Sequence, residues 1–132
     1  MKKKKISESY VKKFWLELYD WDDIPREIRG LNLNNVDSIN TIVKEFLSVK
    51  LSERSISTQY RTKESLRYAI NFWDDLELEN IYYSVMPVLQ LPTSMSCREF
   101  YKHVWSFLFC GESYTIKDKS EYVDIGRVFV YY

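Results

Sequence analysis

The sequence is poor in the residues that build most metal and redox sites. Its 132 residues include one histidine, His103, and two cysteines, Cys97 and Cys110. One histidine and two separated thiols cannot supply a zinc site of ordinary spacing. Both cysteines fall on one predicted helix with their backbones about 20 Å apart, which is beyond disulfide reach. We therefore expect no metal centre, and we expect both cysteines to be reduced packing residues.

Glycine is also scarce, and its placement excludes a common kind of nucleotide site. The three glycines are scattered along the chain, so no glycine-rich loop is present to cradle a phosphate. His103 follows Glu99 by four residues, and a carboxylate–histidine pair is part of a nucleophilic triad. Both residues fall on the polar face of a predicted helix, however, where such pairs are common. The sequence therefore predicts no catalytic residue, no cofactor and no enzyme activity.

No hydrophobic run in the sequence is long enough to cross a membrane. The longest runs are 104–109 and 128–132, whereas a spanning helix needs about 20 apolar residues. The basic start MKKKKIS resembles the first part of a signal peptide, but Glu8, Lys12 and Lys13 follow in place of an apolar segment. We therefore expect a cytoplasmic protein that has no membrane partner.

An excess of charge of one sign is absent as well. The chain carries 19 basic and 19 acidic residues, so it is formally neutral. A nucleic-acid-binding domain would be more basic, with its bases clustered, so direct binding to nucleic acid is disfavoured. Lys2–Lys5 is a run of positive charges that could touch phosphates, but such a run at a chain end is typical of a solvated tail. We assign residues 1–132 to a single globular domain with a flexible basic tail at 1–6.

Aromatic residues are abundant, and they define the kind of core to expect. Eleven tyrosines, seven phenylalanines and four tryptophans stand against a single alanine, so the core must be built from large side chains. Apolar residues that recur three and four positions apart predict four helices. These helices cover about 8–21, 36–50, 63–77 and 97–108, with N-caps at Ser7, at Asn35 or Asp37, at Thr62 and at Ser96.

The segments between and after these helices favour other structure. Arg26–Arg29 is expected to form a short helical turn that Gly30 stops, and 52–61 is expected to be a loop or a short strand. Residues 81–86 are expected to be extended, and alternation in the last twenty residues predicts a β-hairpin with a bulge at Gly126. The predicted fold class is α+β, predominantly helical, with a small C-terminal antiparallel β-hairpin or sheet.

Two stretches gather acids beside tryptophan without a base among them. Residues 17–23 contain Asp20, Asp22 and Asp23, and residues 71–80, NFWDDLELEN, contain Asp74, Asp75, Glu77 and Glu79. In the second stretch, Trp73 and Leu76 are expected in the core. Both stretches fall at the C-terminal ends of predicted helices, where the helix dipole disfavours acids by roughly a few tenths of a kcal/mol. Acids kept against that cost indicate a surface that attracts a basic partner, and a solvated helix end is the alternative interpretation.

The second stretch runs directly into Ile81, Tyr82 and Tyr83. Tyrosines beside a charged rim are typical of a protein-binding hot spot. Acids followed by this Ile-Tyr-Tyr step resemble the toxin-binding region of colicin DNase immunity proteins, although Pro87 lies further from the tyrosines than the proline of that family does. More loosely, the chain resembles the immunity proteins of contact-dependent toxin systems.

The resemblance implies an immunity protein that binds a cognate bacterial toxin, with a basic nuclease domain as the expected partner, and blocks it by occlusion. The predicted contact residues are Asp74, Asp75, Glu77, Glu79, Tyr82, Tyr83, Asp20, Asp22 and Asp23. Two other functions stay open. One is a phage or mobile-element inhibitor of a host nucleic-acid enzyme, and the other is a small nucleic-acid-binding regulatory module that uses Lys2–Lys5. The two acidic stretches form one site only if they share a face of the fold.

Overall fold

The computed structural model describes residues 2–21 and 23–130, and this part of the chain is predominantly helical, as predicted. The helices are α1 (Glu8–Leu16), α2 (Arg26–Arg29), α3 (Val36–Ile42), α4 (Ser48–Ser52), α5 (Ile56–Phe72), α6 (Asp75–Tyr83) and α7 (Cys97–Leu108). A π-helical turn (Val43–Leu47) joins α3 to α4, and a 3-10 turn (Lys119–Glu121) leads into the second strand. The strands are β1 (Lys4–Ile6) and β2 (Tyr122–Asp124). The described residues thus form more helical segments than the four predicted.

Side-chain caps determine where several helices begin. The side-chain oxygens of Ser7, Asn35 and Ser96 each accept a hydrogen bond from a backbone N–H of the first turn, at 2.9–3.1 Å. Each cap satisfies a donor that has no partner within its own helix. The caps at Ser7 and Ser96 were predicted and are confirmed, and of the two alternatives Asn35 and Asp37, the structure has Asn35. The helical turn at Arg26–Arg29 and its end at Gly30 are confirmed as well.

Helix α5 differs from its prediction at both ends. It was expected at 63–77 with Thr62 as its N-cap, but Ser55 is the cap, and its Oγ accepts from the Thr58 N–H at 3.1 Å. Thr62 is buried inside the helix. The interpretation of 52–61 as a loop or strand is therefore wrong for 56–61, which belong to α5, whereas 53–55 do form a short turn between α4 and α5. The helical spacing of 56–61 is hard to recognise in the sequence because Ile56 and Tyr60 lie on the exposed side of α5.

The segment expected to be extended, 81–86, belongs to a further helix in its first half, 81–83, and to a turn at 84–85. The chain breaks at Trp73, whose backbone is extended with φ −91° and ψ 146°, and α6 then runs to Tyr83. What the apolar spacing predicts as the end of one helix is thus the junction of two. The apolar spacing makes Asp74 an interior helical residue, whereas in the structure it caps the next helix.

The predicted C-terminal antiparallel hairpin is wrong. Strand β2 pairs with β1 at the other end of the chain, and the two strands run parallel, with Lys4 opposite Tyr122 and Ile6 opposite Asp124. A hairpin would have a partner strand a few residues away, whereas the actual partner lies more than a hundred residues earlier. The fold class is therefore mostly helical with a small two-stranded parallel sheet.

The basic segment assigned to a flexible tail at 1–6 contributes strand β1. Ile6 is fully buried, and the Ser7 hydroxyl donates to the carbonyl oxygen of Gly126. Gly126 has φ +73°, a left-handed conformation that glycine adopts without a side-chain clash. Gly126 therefore joins the C-terminal segment to the start of α1 through this hydrogen bond. The expected bulge of a hairpin at Gly126 is not what the structure has there.

A buried carboxylate ties both strands to α5. Glu64 is 2% exposed, and its Oε1 accepts from the Tyr122 hydroxyl at 2.8 Å. Arg67 reaches the same carboxylate at 3.1 Å, and the Lys4 ammonium lies 3.7 Å from it. A charge removed from water needs such partners, because burial alone would penalise it by several kcal/mol. This network holds the two ends of the chain together.

An aromatic cluster forms the centre of the core. Trp15 is fully buried, and its ring centroid lies 5.1–5.7 Å from the rings of Tyr82, Phe100 and Tyr101. Trp15 Nε1–H donates to the Tyr101 hydroxyl at 2.9 Å, and that hydroxyl donates to the Leu78 carbonyl at 2.8 Å. The polar atoms of these rings are thus satisfied inside an apolar core that joins α1, α6 and α7.

Candidate functional site

The acidic stretch 74–79 begins a helix. Asp74 is the N-cap of α6, and its Oδ1 accepts from the Glu77 N–H at 2.8 Å. Asp75 and Glu77 lie in the first turn, where the positive end of the helix dipole stabilises an acid by about 0.3–1 kcal/mol. The expectation that these acids are held against the helix dipole is therefore wrong for this stretch.

Asp75 also has a structural role. Its Oδ1 accepts from the backbone N–H of Arg98 at 2.9 Å, in the first turn of α7. The Arg98 guanidinium in turn donates to the carbonyl oxygen of Trp73, at the break between α5 and α6. One carboxylate thus joins the starts of two helices, and Asp74 and Asp75 are explained by the fold itself.

Glu77 and Glu79 are the acids of this stretch that the fold does not use. Both are exposed, and within residues 2–21 and 23–130 neither carboxylate takes part in an ion pair or a side-chain hydrogen bond. Leu76 is 64% exposed, Tyr83 is 46% exposed and Met86 is 69% exposed. Positions 76, 79 and 83 are spaced by three and four, so they lie on one side of the helix. We call Leu76, Glu77, Glu79, Tyr83 and Met86 the α6 face.

The structure separates the two neighbouring tyrosines. Tyr82 is fully buried, its hydroxyl donates to the Leu89 carbonyl at 2.6 Å, and burial raises the pKa of its phenol well above the ordinary value. The assignment of Tyr82 to the contact surface is therefore wrong. Tyr83 stays exposed along one side, and its hydroxyl accepts from the Leu91 N–H at 3.0 Å. Tyr83 alone of the pair can contact a partner.

Two members of the α6 face were not predicted. Leu76 was assigned to the core, but the buried side of α6 is formed by Leu78 and Tyr82, and position 76 lies on the opposite side. Met86 has φ +50°, a left-handed backbone conformation that costs a side-chain-bearing residue roughly 1–2 kcal/mol. Strained backbone at an exposed apolar residue is the kind of feature that clusters at functional sites. Recognising Asp74 as an N-cap would have placed Leu76 correctly.

The first acidic stretch is neutralised by bases from other parts of the chain. Its described acids each form an ion pair: Glu17 with Arg54, Asp20 with Arg29 and Asp23 with Lys50. Asp22, also a predicted contact residue, lies outside the described residues. The structure therefore makes this stretch part of a mixed-charge surface, in contrast to the unpaired acids of the α6 face.

The two acidic stretches lie near opposite ends of α6. The Val88 N–H donates to the Leu18 carbonyl at 2.8 Å, and Tyr19 forms a bridge with Pro87, so the first stretch is next to the segment that follows α6. The second stretch begins α6, which is about 12 Å long at 1.5 Å per residue. The two stretches therefore lie near different ends of α6, and because only the second has acids without ion-pair partners among the described residues, the α6 face is the candidate site.

Two other features bear on possible chemistry, namely the sole histidine and the side chains that could hold a metal ion. His103 is half-buried with its ring stacked on Phe107 at 6.4 Å. In the described ranges, no three histidine, cysteine, aspartate or glutamate side chains stand close enough to hold a metal ion. The same residues contain no helix with the length and apolar character needed to cross a bilayer.

Comparison with known proteins finds no relative that could assign a function to the site. No protein-family model matches the chain, and neither the curated proteins nor the solved structures provide a match. The interpretation of the α6 face therefore depends on its exposure, charge and shape.

A pair of substitutions distinguishes the roles of the two tyrosines. Tyr82→Phe should lower the free energy of unfolding by about 1–3 kcal/mol, because it leaves the buried Leu89 carbonyl without its donor. Tyr83→Phe is the matched control, and it should cost well under about 1 kcal/mol because its hydroxyl is exposed. Urea unfolding of both variants measures the difference. Equal, small losses in the two variants would contradict the structural role of Tyr82.

Proposed function

We propose that this chain is an immunity protein, a cytoplasmic binding protein that neutralises a cognate bacterial toxin without catalysis. The observation that carries the proposal is the α6 face, where two unpaired carboxylates stand among an exposed leucine, tyrosine and methionine. Protein interfaces combine such apolar anchors with a polar rim, and tyrosine and methionine are enriched in them. Leu76, Glu79 and Tyr83 lie on one side of α6, whereas Glu77 is exposed about 100° further round the helix from Leu76 and Met86 follows the end of the helix.

The charge of the α6 face favours a basic partner. Glu77 and Glu79 carry two negative charges that no base in the described chain offsets, so they attract a positive surface and speed encounter with it. Nucleases bind the phosphate backbone through lysine and arginine. A protein that covers those residues blocks the nuclease by occlusion, which is the function that the resemblance to colicin DNase immunity proteins implies.

The anchoring of α6 supports the same proposal. Asp74 caps the helix, Asp75 ties its start to α7, and Tyr82 fixes its far end to the core through Leu89. A helix held at both ends presents its exposed side chains in one arrangement. Binding through it therefore costs little conformational entropy, which is the advantage of a preorganised surface.

The nucleic-acid-binding alternative has less support from the fold. Lys4, in the basic run that would contact phosphates, lies 3.7 Å from the Glu64 carboxylate and 5.3 Å from the centre of the Tyr122 ring. Its charge is thus partly used inside the protein. An inhibitor of a host nucleic-acid enzyme would use the same α6 face, and only the identity of its partner distinguishes it from an immunity protein.

A charge-reversal experiment tests the proposal. The partner would be the nuclease or other toxin domain encoded by the neighbouring gene, and isothermal titration would measure its affinity for each variant. Like charges placed opposite each other cost several kcal/mol, so Glu77→Lys combined with Glu79→Lys should weaken binding at least about 100-fold. In cells, the same variant should no longer protect against the toxin.

The control for this experiment changes the net charge by the same amount at a different place on the surface. Glu45→Lys combined with Glu53→Lys reverses two exposed acids, one in the π-helical turn and one in the turn after α4, and should change affinity by less than about threefold. Equal losses in the two double variants would show that only net charge matters. If the product of the neighbouring gene does not bind at all, the immunity function is wrong.

A further inference from the structure

A second surface has the form of a small binding cleft. Its volume is about 500 Å³, within the usual range for ligand pockets, and it lies between the end of α1 and the residues from the π-helical turn to the end of α4. Its lining includes Trp21, Asp23, Phe46 and Lys50. We call it the Trp21 cleft. None of its lining residues belongs to the α6 face.

Trp21 is exposed but held in place. It is 45% exposed, whereas each of the other three tryptophans is at most 8% exposed. Its Nε1–H donates to the Leu16 carbonyl at 3.1 Å, its ring lies edge-on to Tyr19 at 4.9 Å, and its carbonyl accepts from Arg29 at 2.6 Å. The indole therefore offers a rigid aromatic surface, and binding to it costs little ordering of the side chain.

The lining of this cleft contains two acids and two bases, and its most exposed charged side chain is an acid. The side chain of Asp23 is 72% exposed, whereas that of Lys50 is 29% exposed, and the ion pair of Glu17 and Arg54 is more buried still, at 15% and 21%. The carboxylate of Asp23 is thus the most accessible charged group. An incoming ligand meets that carboxylate beside the Trp21 ring.

The cleft already contains an internal cation of the kind it would accept. The Lys50 ammonium lies 5.6 Å above the centre of the Phe46 ring and 3.7 Å from the Asp23 carboxylate. That separation exceeds the length of a hydrogen bond, so the ion pair is loose and can be exchanged. Phe46 comes from the π-helical turn Val43–Leu47, a rare conformation that is found frequently at functional sites.

We propose that the Trp21 cleft binds a guanidinium group, in the form of an arginine side chain of a partner protein. The guanidinium stacks on the Trp21 indole and pairs with Asp23 in place of Lys50. A planar guanidinium suits this site better than an ammonium, because it stacks on aromatic rings, pairs with a carboxylate through two hydrogen bonds and is less strongly hydrated. That the arginine belongs to the basic toxin rests on the proposed function, whereas the guanidinium chemistry does not.

A titration of the full chain with small probes tests the cleft directly. The four tryptophans give four indole N–H signals in a nitrogen–proton correlation spectrum, and Trp21→Phe identifies the signal of Trp21. Nα-acetyl-arginine amide should shift that signal in a saturable way. Nα-acetyl-citrulline amide, which has the same shape without the charge, should not, and neither should benzoate, an aromatic anion. Equal shifts with the citrulline and arginine amides would overturn the proposal.

Two substitutions at the rim of the cleft make the test sharper. Asp23→Asn should weaken binding of the arginine amide at least about tenfold, because the ligand loses its carboxylate partner. Lys50→Met should strengthen binding about threefold or more, because it removes the internal cation that competes for Asp23. An anion site would respond in the opposite way, so benzoate binding that Lys50→Met abolishes would overturn the proposal. No saturable shift with the arginine amide in either the natural chain or Lys50→Met would also overturn it.

The outcome of this titration is independent of the toxin experiment. The probes report on the cleft without any partner protein, and the variants at positions 77 and 79 report on the α6 face. If the cleft fails to bind the arginine amide but the α6 face binds the toxin, only the proposed guanidinium site is refuted. The reverse result would refute only the immunity function.

Discussion

Replacing Arg67 with methionine should lower the free energy of unfolding by about 3–5 kcal/mol at neutral pH. Arg67 contacts the buried Glu64 carboxylate at 3.1 Å and the Glu112 carboxylate at 2.6 Å, and its guanidinium lies 5.1 Å from the centre of the Trp105 ring. Methionine retains much of the aliphatic packing but removes the charge. Glu64 would then be buried with the Tyr122 hydroxyl and the more distant Lys4 ammonium as its remaining partners.

A second substitution separates the charge from the packing. In the double variant Arg67→Met with Glu64→Met, no buried carboxylate is left without its guanidinium, so most of the lost stability should return. The double-mutant cycle is measured by urea unfolding of the natural chain, both single variants and the double variant.

The cycle has an outcome that would contradict this account. If Arg67→Met costs less than about 1 kcal/mol, the Glu64 carboxylate is not held by Arg67 in the way the structure shows. If the double variant is as unstable as Arg67→Met alone, the loss comes from packing against Trp105. This network also binds both strands to α5. We therefore expect β1 and β2 to unfold locally more often in Arg67→Met than in the natural chain, and faster amide hydrogen exchange in these strands would detect it.

Local signals in the sequence predicted local structure well. The caps at Ser7, Asn35 and Ser96 act on backbone groups two or three residues away, so the sequence carries the whole interaction. The parallel pairing of β1 with β2 is different, because each strand has three residues and its partner lies at the other end of the chain. The pairing is stabilised by the buried contacts of both strands with α5, and a short sequence pattern cannot predict such distant contacts.

The candidate site was predicted in part, and one ambiguous residue accounts for most of the difference. An aspartate after an apolar helical stretch can end one helix or cap the next, and Asp74 does the second. With the cap misassigned, Leu76 was placed inside and Tyr82 outside, and the structure reverses both. Glu77, Glu79 and Tyr83 remain exposed under either assignment, so the prediction of a site in this stretch still holds as a proposal.

The ion pairs formed by the first acidic stretch could not be predicted from the sequence, for a related reason. Lys50 and Arg54 lie far along the chain from the acids they neutralise, and only the packing of α1 against α5 and the residues before it brings them together. The same packing creates the Trp21 cleft. A cluster of like charges in a sequence therefore predicts an exposed segment. Which ligand that segment can bind also depends on the opposite charges that the fold brings next to it.

Replacing Trp15 with alanine should be the most damaging single change in the core, with a loss of about 3–5 kcal/mol in the free energy of unfolding. Trp15 is fully buried, contacts the rings of Tyr82, Phe100 and Tyr101, and donates to the Tyr101 hydroxyl. Its removal leaves a large cavity among rings that cannot collapse into it. For a domain whose total stability is about 5–15 kcal/mol, such a loss approaches global unfolding.

Two further variants keep this prediction testable if Trp15→Ala does not fold. Trp15→Phe retains a ring in the cluster and should cost less than Trp15→Ala while still depriving the Tyr101 hydroxyl of its donor. Trp21→Ala is the matched control, because it removes the same side chain from a position that is 45% exposed, and it should cost less than about 1 kcal/mol. Similar losses from Trp15→Ala and Trp21→Ala would contradict the position of Trp15 at the centre of the core. The expected order, with the loss from Trp15→Ala well above that from Trp15→Phe and the loss from Trp21→Ala lowest, would show that Trp15 is a central residue of the core and that Trp21 is not.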